Sequence, residues 1–258
     1  MTQSRTIILK TRREIEIMRE ANLIVAEILD RIGEIVKPGI TTGELDSLAE
    51  RLIERAGAKA AFKGYRMRNQ KPYPASICSS VNEEVVHGIP GPRVLKEGDI
   101  VGVDVGVVLK GFVGDAARTY PVGQIDAEAE RLLKVTRESL YKGIEQARPL
   151  NRLYDISSAV QSHVEAHGFS VVRDFVGHGI GRNMHEPPQI PNYKAGGWNP
   201  RLQVGMVLAL EPMVNAGTWH VRLLDDEWTV VTADGKLSAH FEHSVAITDN
   251  GPYILSQL

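Results

Sequence analysis

Behind Thr11-Arg-Arg-Glu14, apolar residues recur at three- and four-residue steps: Met18, Ala21, Val25, Ile28, Leu29 and Ile32. That spacing predicts an amphipathic helix opened by a capping box. Pro38-Gly39 stops it, and Thr41-Thr-Gly-Glu44 opens a second helix with Leu45, Leu48, Leu52 and Ile53 on one face and Gly57 at its end. The period then changes. Residues 98–120 are rich in valine and glycine, and Lys110-Gly111 predicts a hairpin turn between two strands. Helical spacing returns at about 126–147 and 153–167, and strand-like stretches lie near 171–176, 205–214, 228–232 and 239–248. No linker or low-complexity tract interrupts the pattern, which reads as one domain over residues 1–258.

The pattern also repeats. Pro38 to Gly57 encloses a helix, and Pro149 to Gly168 encloses another of matching length, with Ile156, Ala159 and Val164 in matching places. Gly98 precedes Asp104 in one strand as Gly205 precedes Glu211 in another, and His87-Gly-Ile-Pro and His178-Gly-Ile-Gly lie between these markers. Three markers in one order predict two halves of one α+β design, about 1–125 and 126–258, each giving an acid in a strand and a histidine at a strand end.

Composition narrows the partners. Thirty basic and thirty-two acidic residues leave a net charge of −2, which gives no general field for DNA or a membrane surface. No apolar run approaches the roughly 18 residues that cross a bilayer, and Met1-Thr-Gln-Ser-Arg-Thr has no apolar leader core behind it. One cysteine, Cys78, excludes an internal disulfide and a cysteine zinc cage. A cytoplasmic monomer is the expectation.

Chemistry enters with the acids. Asp104 interrupts the apolar run Ile-Val-Gly-Val-Asp-Val-Gly-Val, where an ionised carboxylate must be paired or metal-bound. If the hairpin loop holds an even number of residues, Asp115 shares a face with Asp104. Glu211 ends the buried-strand run Met-Val-Leu-Ala-Leu-Glu, before a proline that curtails pairing, and Glu242 lies in the strand Ala-His-Phe-Glu-His-Ser. Among lysines and arginines only Arg118 is close by, so a cation is the economical partner for the four acids. Carboxylates with one imidazole suit Mn²⁺, Fe²⁺ or Co²⁺, and Zn²⁺ is possible. His178 is the imidazole of choice, because Gly177 and Gly179 let the backbone come close. Four carboxylates are too many for one six-coordinate ion, and two ions sharing bridging carboxylates would activate water for hydrolysis.

His87-Gly-Ile-Pro, the Asp104/Asp115 hairpin, Gly177-His-Gly-Ile-Gly, His185-Glu-Pro-Pro-Gln, Leu210-Glu-Pro-Met and Phe241-Glu-His, in that order over almost the whole chain, closely resemble the type I methionine aminopeptidases. The resemblance implies a pita-bread α+β fold with an internal pseudo-twofold, its antiparallel sheet covered by helices. It also implies two divalent ions held by Asp104, Asp115, His178, Glu211 and Glu242, with Asp115 and Glu242 bridging. Glu211 would serve as proton carrier, His185 would face the developing oxyanion and His87 the amide nitrogen beyond the cut. The implied substrate is the N-terminal methionine of nascent polypeptides, with a small second residue preferred. Tyr65, Tyr73, Cys78 and Trp228 match positions lining the methionine pocket, and Phe62 and Met184 are looser counterparts.

The chain departs from the family where His240 stands for glutamine and Met184 for an aromatic residue. Arg66-Met-Arg-Asn-Gln-Lys71 reads as a short insertion whose cations, Arg66, Arg68 and Lys71, make a solvated loop; the alternative, from the nascent-chain substrate that the resemblance implies, is contact with ribosomal phosphates. The 25 residues between His185 and Glu211 leave no room for a type II insertion, and no zinc-finger extension precedes the helices. Two other readings are a proline-directed relative of the same fold and a catalytically dead pita-bread binding protein. The first would carry an additional N-terminal domain, and the second would have lost metal ligands.

Overall fold

Thr11 caps the first helix, α1 (Arg12–Ile35): its hydroxyl accepts from the Glu14 amide at 3.3 Å, and the Glu14 carboxylate accepts from the Thr11 amide at 2.9 Å. Thr41 and Glu44 build the same box on α2 (Thr42–Arg55). The computed structural model describes residues 6–66 and 71–258. Its first half continues with β1 (Lys59–Ala60), β2 (Ile77–Val81), β3 (Glu84–Val86), β4 (Ile100–Leu109) and β5 (Phe112–Pro121). Then come α3 (Ala127–Gln146), α4 (Leu153–Ala166), β6 (Ser170–Val171), β7 (Gly177–Gly179), β8 (Glu186–Ile190), β9 (Val207–Leu210) and β10 (Met213–Asn215). The last elements are β11 (Val221–Leu223), β12 (Val230–Thr232), β13 (Ser238–His240), β14 (His243–Thr248) and β15 (Gly251–Ile254).

All six apolar positions read from the α1 pattern are buried. Five of them pack with Leu45 and Ile53 of α2 on the face of the β4–β5 hairpin that carries Val101, Val103, Val105, Val107 and Ala116, while Met18 packs with Phe112, Val113 and Ile180. Leu48 and Leu52 lie only partly buried at the edge of that core. The hairpin turn is two residues long, Lys110 and Gly111, both at positive φ (51° and 79°), the geometry that matches strand twist. Helix and hairpin meet closely at Gly114, where a Cβ would come within 2.7 Å of the backbone at Ala21 and Asn22. There the Asn22 side chain accepts from the Asp115 amide at 3.2 Å, so α1 helps to hold Asp115 in place.

All strand pairs are antiparallel, in sheets ordered β1-β4-β2 with β5 on β4, β15-β14-β9-β7-β8, β13-β10-β6 and β11-β12-β3. Helices α3 and α4 bury Leu140, Ile144, Leu153 and Ile156 against Leu208, Leu210 and Val245. Three expectations change. The strand read at 205–214 is two strands of different sheets, β9 and β10, with Glu211 and Pro212 between them. The strand read at 171–176 is only Ser170–Val171, because the chain peels away from β10 after Val172. Glu242 lies between β13 and β14 rather than within a strand: its amide donates to the Ala117 carbonyl of β5 at 2.9 Å, leaving the β10–β13 and β9–β14 ladders.

The segment before α1 is tied down by a buried ion pair. Lys10 Nζ lies 2.7 Å from Glu186 Oε2, with the two side chains 4% and 3% exposed. Removing one partner of such a pair leaves an uncompensated buried charge. Lys10→Ala is therefore expected to cost about 3–5 kcal/mol. The Lys10→Met/Glu186→Leu double substitution should cost less than either single change. Urea unfolding of the three variants checks both statements.

Candidate dinuclear metal centre

The two-residue turn sets the hairpin register: Gly106 pairs with Asp115 and Asp104 with Ala117. Both aspartates therefore lie on the face opposite α1. In the second half, β9 pairs with β14 at Leu210↔His243, and β10 pairs with β13 at Met213↔His240. The register is the same on both sides of the break, so Glu211 stands opposite Glu242 where the paired strands leave one sheet for another. Pro212, with no amide to donate, lies in that break. His178 projects from β7 between β8 and β9. Its flanking glycines are obligatory, since a Cβ at Gly177 would fall 2.4 Å from the Ala209 carbonyl and one at Gly179 2.3 Å from that of Pro187.

These side chains converge. Donor atoms of Asp115, His178 and Glu242 all lie within 4.8 Å of one another. His178 Nε2 is 3.4 Å from Glu211 Oε1 and 3.9 Å from Asp115 Oδ2. The ring's Nδ1 donates to the Gly179 carbonyl at 3.0 Å, which leaves the Nε2 lone pair facing the acids. Burial pushes the His178 pKa down to about 3 and that of Asp104 up to about 7. Burial, then repulsion from neighbouring carboxylates, lifts Asp115, Glu211 and Glu242 well above the usual range.

Asp104 Oδ1, Asp115 Oδ1 and Glu242 Oε1 are buried without a hydrogen-bond partner. Arg118 does not compensate them; it pairs with Asp30 at 2.8 Å on the α1 side. No ion pair from a lysine or arginine reaches the four acids among the described residues. A neutral imidazole facing orphaned carboxylate oxygens is a donor set that divalent ions fit.

The centre forms one end of a cavity of about 330 Å³, and every residue singled out in the sequence for metal, catalysis or the pocket lines it. Phe62, Tyr73 and Trp228 meet edge to face, with centroids 6.5 and 5.2 Å apart. Tyr73 donates to the Gly88 carbonyl at 2.8 Å, and Trp228 Nε1 to that of Lys71 at 3.1 Å. Burial raises the Cys78 thiol, so it lines the wall as a neutral group. His185 lies exposed at the mouth, with Nδ1 2.8 Å from the Tyr65 hydroxyl. His87 adopts positive φ (61°), and burial lowers its pKa to about 4.

The chain pattern missed Asp174, Phe175 and Val176, which form one lip of the cavity. The Phe175 ring meets His87 edge to face at 5.5 Å, and its place just before Gly177-His178 was the available signal. His240 is buried beside the acids with Nε2 unpartnered, 4.0 Å from Glu211 Oε2. Residues 67–70 of the cationic stretch, including Arg68, lie outside the described residues. Lys71 ion-pairs with Glu227 at 3.4 Å.

Gly106 lies behind two side chains that line the cavity, Met184 and Phe62. A Cβ there would stand 2.9 Å from both Met184 Cε and Phe62 Cε1. Gly106→Val is expected to lower kcat/KM for methionyl peptides about 10- to 100-fold while leaving metal content unchanged. Steady-state kinetics together with metal analysis test this.

The helix-covered antiparallel fold and its buried acid cluster define a metallopeptidase, and the chain belongs to metallopeptidase family M24, whose pattern it matches over residues 16–249. It is 58% identical to methionine aminopeptidase of Clostridium perfringens, with 97% of this chain and 98% of that one covered. To methionine aminopeptidase 1 of Bacillus subtilis it is 56% identical, covering 98% and 100%. The crystal structure of methionine aminopeptidase from Thermotoga maritima superposes with a TM-score of 0.94 at 48% identity, covering 98% of this chain and 100% of that one. Within family M24 the chain thus stands with the bacterial methionine aminopeptidases, and its fold is the pita-bread fold. Prolidase from Pyrococcus furiosus, at 22% identity and a TM-score of 0.77, shares the fold alone.

Proposed function

We propose that the protein removes the N-terminal methionine from nascent polypeptides, and that Asp104, Asp115, His178, Glu211 and Glu242 would hold two divalent ions. The observation that carries this reading is one cavity of about 330 Å³ that joins an aromatic lining, suited to a thioether, to partnerless carboxylates. The ions, when bound, supply Lewis acidity and lower the pKa of water.

The chain's own groups do the rest. Glu211 takes the proton of the attacking water and passes it to the departing amine. His185 Nδ1 lies 2.8 Å from the Tyr65 hydroxyl; with the hydroxyl as donor, the ring proton is on Nε2, from which His185 donates to the carbonyl oxygen as charge develops. His87, neutral at pH 7, hydrogen-bonds the amide nitrogen beyond the cut.

The same reading takes the two halves, about 1–125 and 126–258, as duplicates. It is supported by α2 and α4, each 14 residues long and each followed by a glycine at positive φ, Gly57 and Gly168. It also places the protein in the cytoplasm as a monomer that meets its substrates at the ribosome. No helix among the described residues is long and apolar enough to cross a membrane.

The test is cleavage of Met-Ala-Ser, Met-Phe-Ser and Ala-Pro-Ser peptides by protein loaded with Mn²⁺ or Co²⁺. Release of methionine from the first, with the second resisted and the third untouched, is expected. Cleavage of the prolyl peptide in place of Met-Ala-Ser would overturn the reading, and equal rates on Met-Ala-Ser and Met-Phe-Ser would overturn the preference for a small second residue.

A further inference from the structure

We infer that Glu138 of α3, with His163 and His167 at the end of α4, forms a separate site for a borderline divalent ion such as Zn²⁺. The sequence puts the two histidines four apart, so they share one face of the helix. Gly168, at φ 80°, ends the helix just beyond them. The helices that carry the three groups are in close contact. A Cβ at Gly143 of α3 would come 2.9 Å from Val160 Cγ2 of α4, so the groups stand on elements whose spacing is set by packing.

One donor atom from each of the three residues lies within 4.8 Å of the others. His163 Nε2 is 3.1 Å from Glu138 Oε2, and the two rings are 4.5 Å apart, tilted by 46°. His167 Nδ1 donates to the His163 carbonyl at 2.7 Å, which leaves Nε2 as that ring's lone-pair atom. This is the second hydrogen bond that orients a metal-bound imidazole. Ligands around a tetrahedral zinc with bonds near 2.0 Å stand about 3.3 Å apart. The present spacing of up to 4.8 Å is wider than that, so binding draws the two rings together as well as Glu138, whose side chain is 42% exposed. Lys134, 4.0 Å from Glu138 Oε1, is the one competing cation given by its ion pairs, and it is exposed.

Two imidazoles and one carboxylate favour Zn²⁺, Ni²⁺ or Co²⁺ over Mg²⁺ or Ca²⁺. None of the three residues lines the 330 Å³ cavity; Glu138 and His163 border a wider groove of about 1180 Å³ instead. An ion here ties α3 to α4 and stabilises the second half of the fold without touching the reacting groups.

Zn²⁺ titration of the full, EDTA-treated chain by calorimetry tests this. Wild type should bind one Zn²⁺ more than His163→Ala/His167→Ala. The Asp115→Asn variant should keep that extra ion, and its melting temperature should rise with Zn²⁺. His167→Gln should melt like wild type in EDTA yet hold this Zn²⁺ at least about tenfold more weakly. Peptide cleavage by the double variant, with its dinuclear centre loaded, should be unchanged. Equal Zn²⁺ stoichiometry and affinity in wild type and the double variant would show that the cluster is only a hydrogen-bonded link between helices, and would overturn the inference.

Discussion

Asp115→Asn is expected to abolish peptide hydrolysis and to lose most of the bound metal, whereas His185→Ala keeps its metal and loses turnover alone. Asp115 sits at the middle of the cluster: it lies within reach of His178 and Glu242, and one of its oxygens is buried with no partner. An amide there replaces a charged oxygen that would hold a cation with a neutral group whose NH₂ face cannot bind one. Activity should fall at least about 10³-fold, in parallel with metal content. His185 lies at the cavity mouth against Tyr65, outside the ring of acids, and removing one hydrogen-bond donor to a developing oxyanion costs about 10²–10³ in kcat. Metal analysis and steady-state kinetics on the same preparations make the comparison. Equal metal content in wild type and both variants would refute the assignment.

Freed of metal by EDTA, the Asp104→Asn variant is expected to be more stable than wild type at pH 7.5 and to lose that advantage below about pH 4. Asp104 titrates near 3.9 in an unfolded chain and at about 7 in the folded one, because burial disfavours its charge. The folded state therefore binds this proton more tightly. The contribution to stability is fully present below the unfolded value and disappears as pH rises through 7. A shift of that size corresponds to about 4 kcal/mol. His178 and His240, lowered to about 3, act in the opposite sense: their contribution is present above about pH 6.5 and is lost as pH falls toward 3. Both proteins share that loss, so the difference between them reports Asp104 together with its repulsion of Asp115, Glu211 and Glu242. Adding Mn²⁺ should reverse the order, since ions then replace the protons. Urea unfolding across pH 4–8, with and without metal, provides the measurement.

The long elements were readable because one periodicity serves each of them. The α1 stripe and the hairpin's valines face each other across one core, so local pattern and tertiary burial agree. The acids were readable for the opposite reason, since a carboxylate in an apolar run breaks the pattern. Short strands such as β8 and β11 were not readable. Three to five residues carry too little periodicity, and β8 contains a Pro-Pro pair that the usual strand signals count against. Glu242 was placed in a strand because the ladder's residues flank it on both sides, and the break at the acid depends on a bond to β5 that no local pattern encodes. The lip at 174–176 shows its role only through contact with His87.

The Lys110-Gly111 turn is exposed, and Lys110 Nζ reaches Glu20 of α1 at 2.5 Å. Exposed turns ordinarily absorb insertions and deletions at little cost. This one acts as a gauge for the centre. Slipping β5 by a single residue would send Asp115 to the face covered by α1 and bring Gly114 or Ala116 to the acid side. Side-chain identity at the turn is open to drift wherever positive φ is tolerated, but its length is not. In lineages descended from this chain, gaps should accumulate in the other surface loops and be absent between β4 and β5.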